Sequence, residues 1–166
     1  MESAAQPVTR YLKPWLPVIA WAILISWAST DAFSASNTSQ YVIPALHWLF
    51  PHASPETLDR LHSFIRKTAH FTEYFVFSLL LVRAIRGEHR GWQVRWAIAA
   101  LAIAAGYSAL DEFHQSFVPS RTALPWDSLL DTTGAATAQV LLWLWSRFRS
   151  WNSAGDPETV ASVTRN

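Results

Sequence analysis

The chain has no cysteine. Disulfides, thiol nucleophiles and cysteine-based metal sites are therefore excluded. Charge is also scarce. Charged residues make up 15% of the chain and the net charge is +1, with no basic stripe, so nucleic acid is not expected as a partner. No glycine-rich phosphate loop and no serine-nucleophile motif occurs, and no cofactor is implied. From Glu56 to Arg86 there is neither glycine nor proline, so nothing in that stretch breaks a helix.

What is present is long apolar runs. They cover Trp15 to Ala28, Ala69 to Ile85, Val94 to Leu110 and Leu129 to Trp145. A membrane-spanning helix needs ~20 predominantly apolar residues. The mean hydropathy of +0.11 is modest because polar connections and tails dilute the runs. Of ten tryptophans, Trp15, Trp27, Trp92, Trp96, Trp126, Trp143, Trp145 and Trp151 lie near the ends of apolar runs. That placement matches the aromatic belts at a membrane interface. The alternative is aromatic packing in a soluble helical bundle, which runs this long and uncharged disfavour. The expected fold class is all-α: a polytopic membrane protein with four transmembrane helices in a small bundle. An extended extracytoplasmic connection joins spans 1 and 2. At 166 residues the chain is one domain, covering residues 1–149. Residues 150–166 are polar, contain Gly155 and Pro157, and are expected to be a disordered tail.

A polar head carrying Arg10 and Lys13 precedes the first run. A basic head before a short apolar run also describes a signal peptide, and Ser34-Ala35-Ser36 has the small residues of a cleavage site. Retention as the first span, with its helix continuing past Thr30, is the preferred reading. Ser34 to Gln40, rich in serine and asparagine, reads as a loop. Tyr41 to Phe50 is apolar but too short to span, and is expected on the membrane surface or capping the bundle. Ser54-Pro55-Glu56 is a helix start: a capping serine, a proline in the first turn and an acid near the positive end of the dipole. One helix from Pro55 to Arg86 would be ~48 Å long. Its first part is amphipathic, with Leu58, Leu61 and Ile65 on one face. In the third run Ala102-x-x-x-Gly106 is a small-residue pair suited to close helix approach. In the fourth, Asp127, Asp131, Gly134 and Ala138 form one stripe, expected to pack inward.

Four spans place the head, the Arg83–Arg95 turn and the tail on one side. That side carries nine basic residues: Arg10, Lys13, Arg83, Arg86, Arg90, Arg95, Arg147, Arg149 and Arg165. The other carries four: Arg60, Arg66, Lys67 and Arg121. The positive-inside rule then puts both termini in the cytoplasm, in the cytoplasmic membrane.

The densest ionisable set lies between the last two runs: Asp111, Glu112, His114, Arg121, Asp127 and Asp131. Asp131 sits one turn inside the last run. Acids within a span are costly and are usually buried, paired or functional. On the second span Arg66, His70 and Glu73 fall within ~60° on a helical wheel, with Lys67, Phe71 and Tyr74 as the neighbouring stripe. On the third, Asp111, His114 and Gln115 share a face with Tyr107 once the helix is carried that far. Three distant segments thus bring ionisable residues to one level of the membrane.

Three pieces, in this order and spacing, resemble the VanZ-like family of small membrane proteins. They are Lys67-x-x-His70-Phe71-x-Glu73-Tyr74, then Asp111-Glu112-x-x-Gln115-x-Phe117-x-Pro119-x-Arg121, then Asp127-x-x-x-Asp131-x-x-Gly134. The resemblance covers about residues 60–146. One departure is visible: the family commonly has asparagine where this chain has Asp131. The family takes its name from a protein associated with resistance to teicoplanin, a glycopeptide antibiotic acting outside the cytoplasmic membrane. The resemblance implies a small membrane protein and names no reaction; the extracytoplasmic polar site expected from the charge distribution is compatible with it.

Several functional readings stand at this level. In a binding protein, Arg66, Lys67 and Arg121 hold an anionic group of an envelope lipid, a lipid-linked cell-wall precursor or a glycopeptide-related ligand. Lys67, His70, Glu73, Tyr74, Asp111, Glu112, Gln115, Arg121, Asp127 and Asp131 line the site. In an outer-leaflet hydrolase or transferase, His70 or His114 is the general base, oriented by Glu73, Asp111 or Glu112. No compact ligand spacing supports a metal. A purely structural network between helices explains each piece singly. A proton relay or transporter would place its acids at the midplane, and these lie near one interface. The sequence leaves the oligomeric state open.

Overall fold

Ser54 opens the longest element, as its sequence context predicts. Its hydroxyl accepts from the Thr57 amide at 3.3 Å, Pro55 and Glu56 occupy the first turn, and the helix runs unbroken to Arg86. Gly87, with φ of 58°, ends it. The structure, a computed structural model, describes residues 12–89, 91–117 and 125–154. A 3₁₀ turn, Lys13–Trp15, leads into α1 (Leu16–Ala28), and a second, Asp31–Phe33, leads into α2 (Ala35–Leu49). Then come α3 (Pro55–Arg86), α4 (Val94–Gln115) and α5 (Pro125–Ala154). No strand occurs among the described residues.

α3 is the hub. α5 packs most extensively on it, α4 lies against both, and α1 and α2 lean on it. The core joins Tyr74, Phe77 and Leu81 of α3 to Ala100 and Ala104 of α4, Ala135 of α5, and Val18 and Ile25 of α1. The residues facing α3 are small, which is how helices approach closely without a hydrophobic driving force between them. Gly134 is the extreme case. A Cβ there would fall on the Phe71 carbonyl oxygen of α3, so the two backbones touch.

Several expectations change. α1 stops at Ala28 instead of continuing past Thr30, and the chain turns by 70° into the helical segment that follows. The Thr30 hydroxyl folds back on the Trp27 carbonyl at 2.7 Å, and Ser29 is drawn away to Asp111. Residues 34–40 are not a loop. Ser34 caps α2 by accepting from the Asn37 amide. The Thr38 and Ser39 hydroxyls bond carbonyls one turn back, so their competition with the backbone is absorbed inside the helix. The connection between the first two apolar runs is therefore largely helical. Ala102 is exposed, and a Cβ at Gly106 would meet nothing within 4 Å. That pair faces outward, and Ala100, Ala104 and Ser108 make the close contact instead. Ile65 is exposed as well, while Leu58 is buried. α5 extends to Ala154, into the expected tail, and residues 155–166 lie outside the described residues.

By length and composition, two to three spans stand out. Among the described residues α3 and α4 are long and apolar enough to cross a membrane, and the bent pair Lys13–Ala28 plus Asp31–Leu49 makes a third if taken as one span. α5 falls short because its inward stripe is polar: Asp127, Asp131 and Gln139, with Thr132, Thr133 and Thr137 beside them. The outer surface is strongly apolar. Leu16, Ile19 and Ile23 of α1, Ile98, Ile103 and Leu110 of α4, and Leu129, Val140 and Leu141 of α5 are all exposed. So are Trp27, Trp48, Trp126 and Trp145, whereas Trp96 is core. Apolar cover on this scale is foreign to soluble monomers and is that of a membrane protein.

The contact at Gly134 gives a direct test. Gly134→Ala must push α5 off α3, an overpacking worth ~1–3 kcal/mol, so a drop of several degrees in thermal unfolding in detergent is expected. Gly106→Ala adds a methyl to open space inside a helix and gains up to ~1 kcal/mol of helix propensity. Equal melting temperatures for the two variants would show that the close crossing does not carry the fold.

Candidate functional site

The Gly134 crossing sets the next turn of α5 against α3 and α4. Asp131 lies there, 2% exposed. Its Oδ2 accepts from Ser108 Oγ of α4 at 2.8 Å, and Ser128 Oγ stands 3.0 Å from Ser108 Oγ. Its Oδ1 is buried with no hydrogen bond among the described residues. His70 of α3 faces it, with Nδ1 at 3.9 Å from Oδ1 and 3.7 Å from Glu73 Oε2. Both separations exceed hydrogen-bond length, so the ring sits between two carboxylates without closing on either. His70 and Glu73 keep side-chain exposures of 22% and 18%. Asp131 is thus sealed and His70 is the accessible edge of the cluster. Tyr74, one turn along from His70, is fully buried.

A turn further along α4, Asp111 is also buried. Its Oδ2 accepts from Ser29 Oγ at 2.5 Å and from Gln115 Nε2 at 2.8 Å. The hydroxyl of Tyr107 donates to the Ala22 carbonyl at 2.8 Å and lies 2.6 Å from Ser26 Oγ. The Trp21 indole donates to the Glu73 carbonyl at 2.9 Å. α1 and the Ser29 that follows it therefore fasten the acid-bearing turns of both α3 and α4. Deeper in the bundle Gln139 Nε2 donates to Ser78 Oγ at 2.7 Å, a second polar link between α5 and α3.

The basic residues are placed differently from the acids. Arg66 Nη1 donates to the Phe33 carbonyl at 2.7 Å and to Thr38 Oγ1 at 3.3 Å, which ties α3 to the start of α2. His62, in the polar first half of α3, shares Thr38 with it at 3.1 Å. Burial first, and then the Arg66 guanidinium, push the His62 imidazole below its ordinary pKa. Lys67 is exposed. Arg121 lies outside the described residues.

Of the expected site residues, His70, Glu73, Tyr74, Asp111, Gln115 and Asp131 come to one level of the bundle, with Glu112 and Asp127 half-buried at its edge. His114 departs from expectation. It is exposed, turned away from the face that Asp111 and Gln115 share. Among the described residues no group of three or more His, Asp or Glu side chains is placed to hold a metal ion. The serines were missed by sequence reasoning. Ser108 has a legible signal, since it stands one turn before Asp111 inside an apolar run. Ser29 has none, because nothing local pairs it with a residue 82 positions away.

The sequence model of the VanZ/LLP1 family matches residues 14–146. The chain belongs to this family. No curated protein and no solved structure matches it. The VanZ/LLP1 match begins well ahead of the motif pieces at residues 60–146 and takes in α1 and α2. That agrees with the geometry, because Ser29, the residue that caps the end of α1, supplies a donor to Asp111.

In this VanZ/LLP1 protein Ser108 and Asp131 are expected to be energetically coupled. Ser108→Ala removes the donor to a buried acid, and Asp131→Asn changes the acceptor. A double-mutant cycle on thermal stability should return a coupling of ~0.6–2 kcal/mol, the range of polar contacts between membrane helices. Additive losses would mean that the hydroxyl and the acid do not act on one another.

Proposed function

We propose that this protein binds an anionic envelope lipid, a lipid-linked cell-wall precursor or a glycopeptide-related ligand at an extracytoplasmic polar site. The residues assigned to the site are Lys67, His70, Glu73, Tyr74, Asp111, Glu112, Gln115, Arg121, Asp127 and Asp131, with His70 and Glu73 at its accessible edge. The observation that carries this reading is the open acceptor at the centre of the cluster. Asp131 Oδ1 has no donor among the described residues, and the partly exposed His70–Glu73 pair stands beside it. A network serving structure alone would close its buried acceptors, because an unmade bond in a low-dielectric interior is costly. The acids suit sugar hydroxyls and amines. Arg66, Lys67 and Arg121 supply the charge for a phosphate or carboxylate. The family's association with teicoplanin supports an envelope ligand.

The reading takes α5 as a further span and both termini as cytoplasmic, in the cytoplasmic membrane. Two observations support α5 in lipid. Its outward residues are apolar, and its threonine hydroxyls are satisfied on their own helix. Thr132 bonds the Ser128 carbonyl at 2.8 Å, Thr133 that of Leu129 at 2.7 Å, and Thr137 that of Thr133 at 2.8 Å. The excess of arginine on the side of the Arg83–Arg95 turn supports the orientation.

The absence of cysteine makes the chain a ready background for accessibility mapping. Single cysteines at Ser120 and Gly91 are expected to differ in intact cells. A membrane-impermeant maleimide labels position 120 and spares 91. The reverse pattern overturns the extracytoplasmic site. With teicoplanin and a polyprenyl phosphate as probes, Arg121→Ala is expected to weaken binding about tenfold without loss of abundance. Loss of abundance in both Arg121→Ala and His70→Ala would instead mark a structural network. Turnover of the polyprenyl phosphate that His70→Ala abolishes while binding persists would mark an enzyme.

A further inference from the structure

The far end of the bundle holds a cavity of about 750 Å³ that the acid cluster does not share. It opens between the last turns of α3, the start of α4 and the last turns of α5. Arg83 lies ten residues beyond Glu73 on α3, and Arg149 lies eighteen beyond Asp131 on α5. At 1.5 Å per residue these are separations of ~15 Å and ~27 Å along the two helices. The two sites are therefore distinct.

The walls of the cavity differ along its depth. Along the helices that line it, Leu79 precedes Arg83 and Arg86 by one and two turns on α3, Leu142 and Trp145 precede Arg149 on α5, and Trp92 and Trp96 stand at the start of α4. Trp96 is buried and held in place, with the Arg95 guanidinium over its ring at 5.5 Å and the His89 ring 5.9 Å away. Arg83 and Arg86 are exposed, and neither makes an ion pair with a described residue. The one carboxylate in the described lining is Glu88, so the mouth carries excess positive charge. Arginines and indoles at the helix ends, with aliphatic chains a turn or two further in, follow the polarity profile of one bilayer leaflet. Basic pockets between helix ends select anionic head groups, and guanidinium forks fit phosphate oxygens in pairs.

We propose that this cavity is a binding site for the head group of an anionic phospholipid, with the phosphate at Arg83 and Arg86 and the upper acyl chain against Leu142. A free phosphate ion would use the guanidiniums and leave the apolar wall uncovered. A zwitterionic lipid would cover that wall but bring its own cation to the mouth. The site needs no particular orientation of the bundle, and it does not depend on what binds beside Asp131.

The test is native mass spectrometry of the delipidated protein, titrated in detergent with phosphatidylglycerol or with phosphatidylcholine. One phosphatidylglycerol is expected to bind at least tenfold more tightly than phosphatidylcholine. Arg83→Gln/Arg86→Gln is expected to erase that preference. Both side chains are exposed, so the double variant should keep its melting temperature in lipid-free detergent. Asp131→Asn is expected to leave the preference intact, which separates this site from the acid cluster. Equal binding of the two lipids overturns the proposal, as does an undiminished preference in the double variant. Glycerol phosphate that displaces the lipid at equal concentration overturns the lipid assignment in favour of a soluble phosphate compound.

Discussion

The contact of the Gly134 backbone with the Phe71 carbonyl sets the geometry of everything polar in this molecule. Short side chains continue that interface, with Ala135 and Ala138 on α5 and Ala100 and Ala104 on α4 all buried. Only when three helices approach this closely does a short aspartate reach a serine on one neighbour and lie beside a histidine on the other. A larger residue at 134 would lengthen each of these distances together. Packing and chemistry are thus one constraint here. The glycine is required because the facing atom is backbone, which cannot rotate out of the way as a side chain would.

α1 shows a second principle. Apart from Ser26, its exposed residues are apolar and give lipid little preferred rotation about its axis. Its polar contacts supply the rotation instead. Trp21 reaches the Glu73 carbonyl, the Ala22 carbonyl receives Tyr107, and Ser29 donates to Asp111. Among apolar chains in an apolar solvent, such bonds choose one packing from many of similar energy. The last of them also accounts for the break after Ala28, where the chain leaves the helix while Ser29 is held against α4.

The long helix α3 was legible to the residue, because its start carries a cap and its interior carries no breaker. The inward stripe of α5 was legible for a similar reason, since acids and small residues on one helical face have no place against lipid. The order of the motif pieces pointed to the family, and the family match confirms it. The helix over 35–49 was not legible. Serine, threonine and asparagine favour loops on average, and only in the folded chain do Thr38 and Ser39 turn back onto the preceding carbonyls. Ala102 and Gly106 misled for the complementary reason. Small residues permit close approach but do not compel it, and the helix presented Ala100, Ala104 and Ser108 instead.

The sequence by itself determined an all-helical membrane protein of the VanZ/LLP1 family, the bounds of α3 and the level at which ionisable residues gather. These follow from local causes: helix periodicity, capping chemistry and the cost of charge in hydrocarbon. The tertiary structure alone decided which groups meet. It paired Ser29 with Asp111 and Ser108 with Asp131, left His70 between two carboxylates, turned His114 outward and opened the arginine-lined cavity at the far end. Each of these depends on the rotation of one helix against another. Contacts far apart in the chain set that rotation, and no local pattern encodes it.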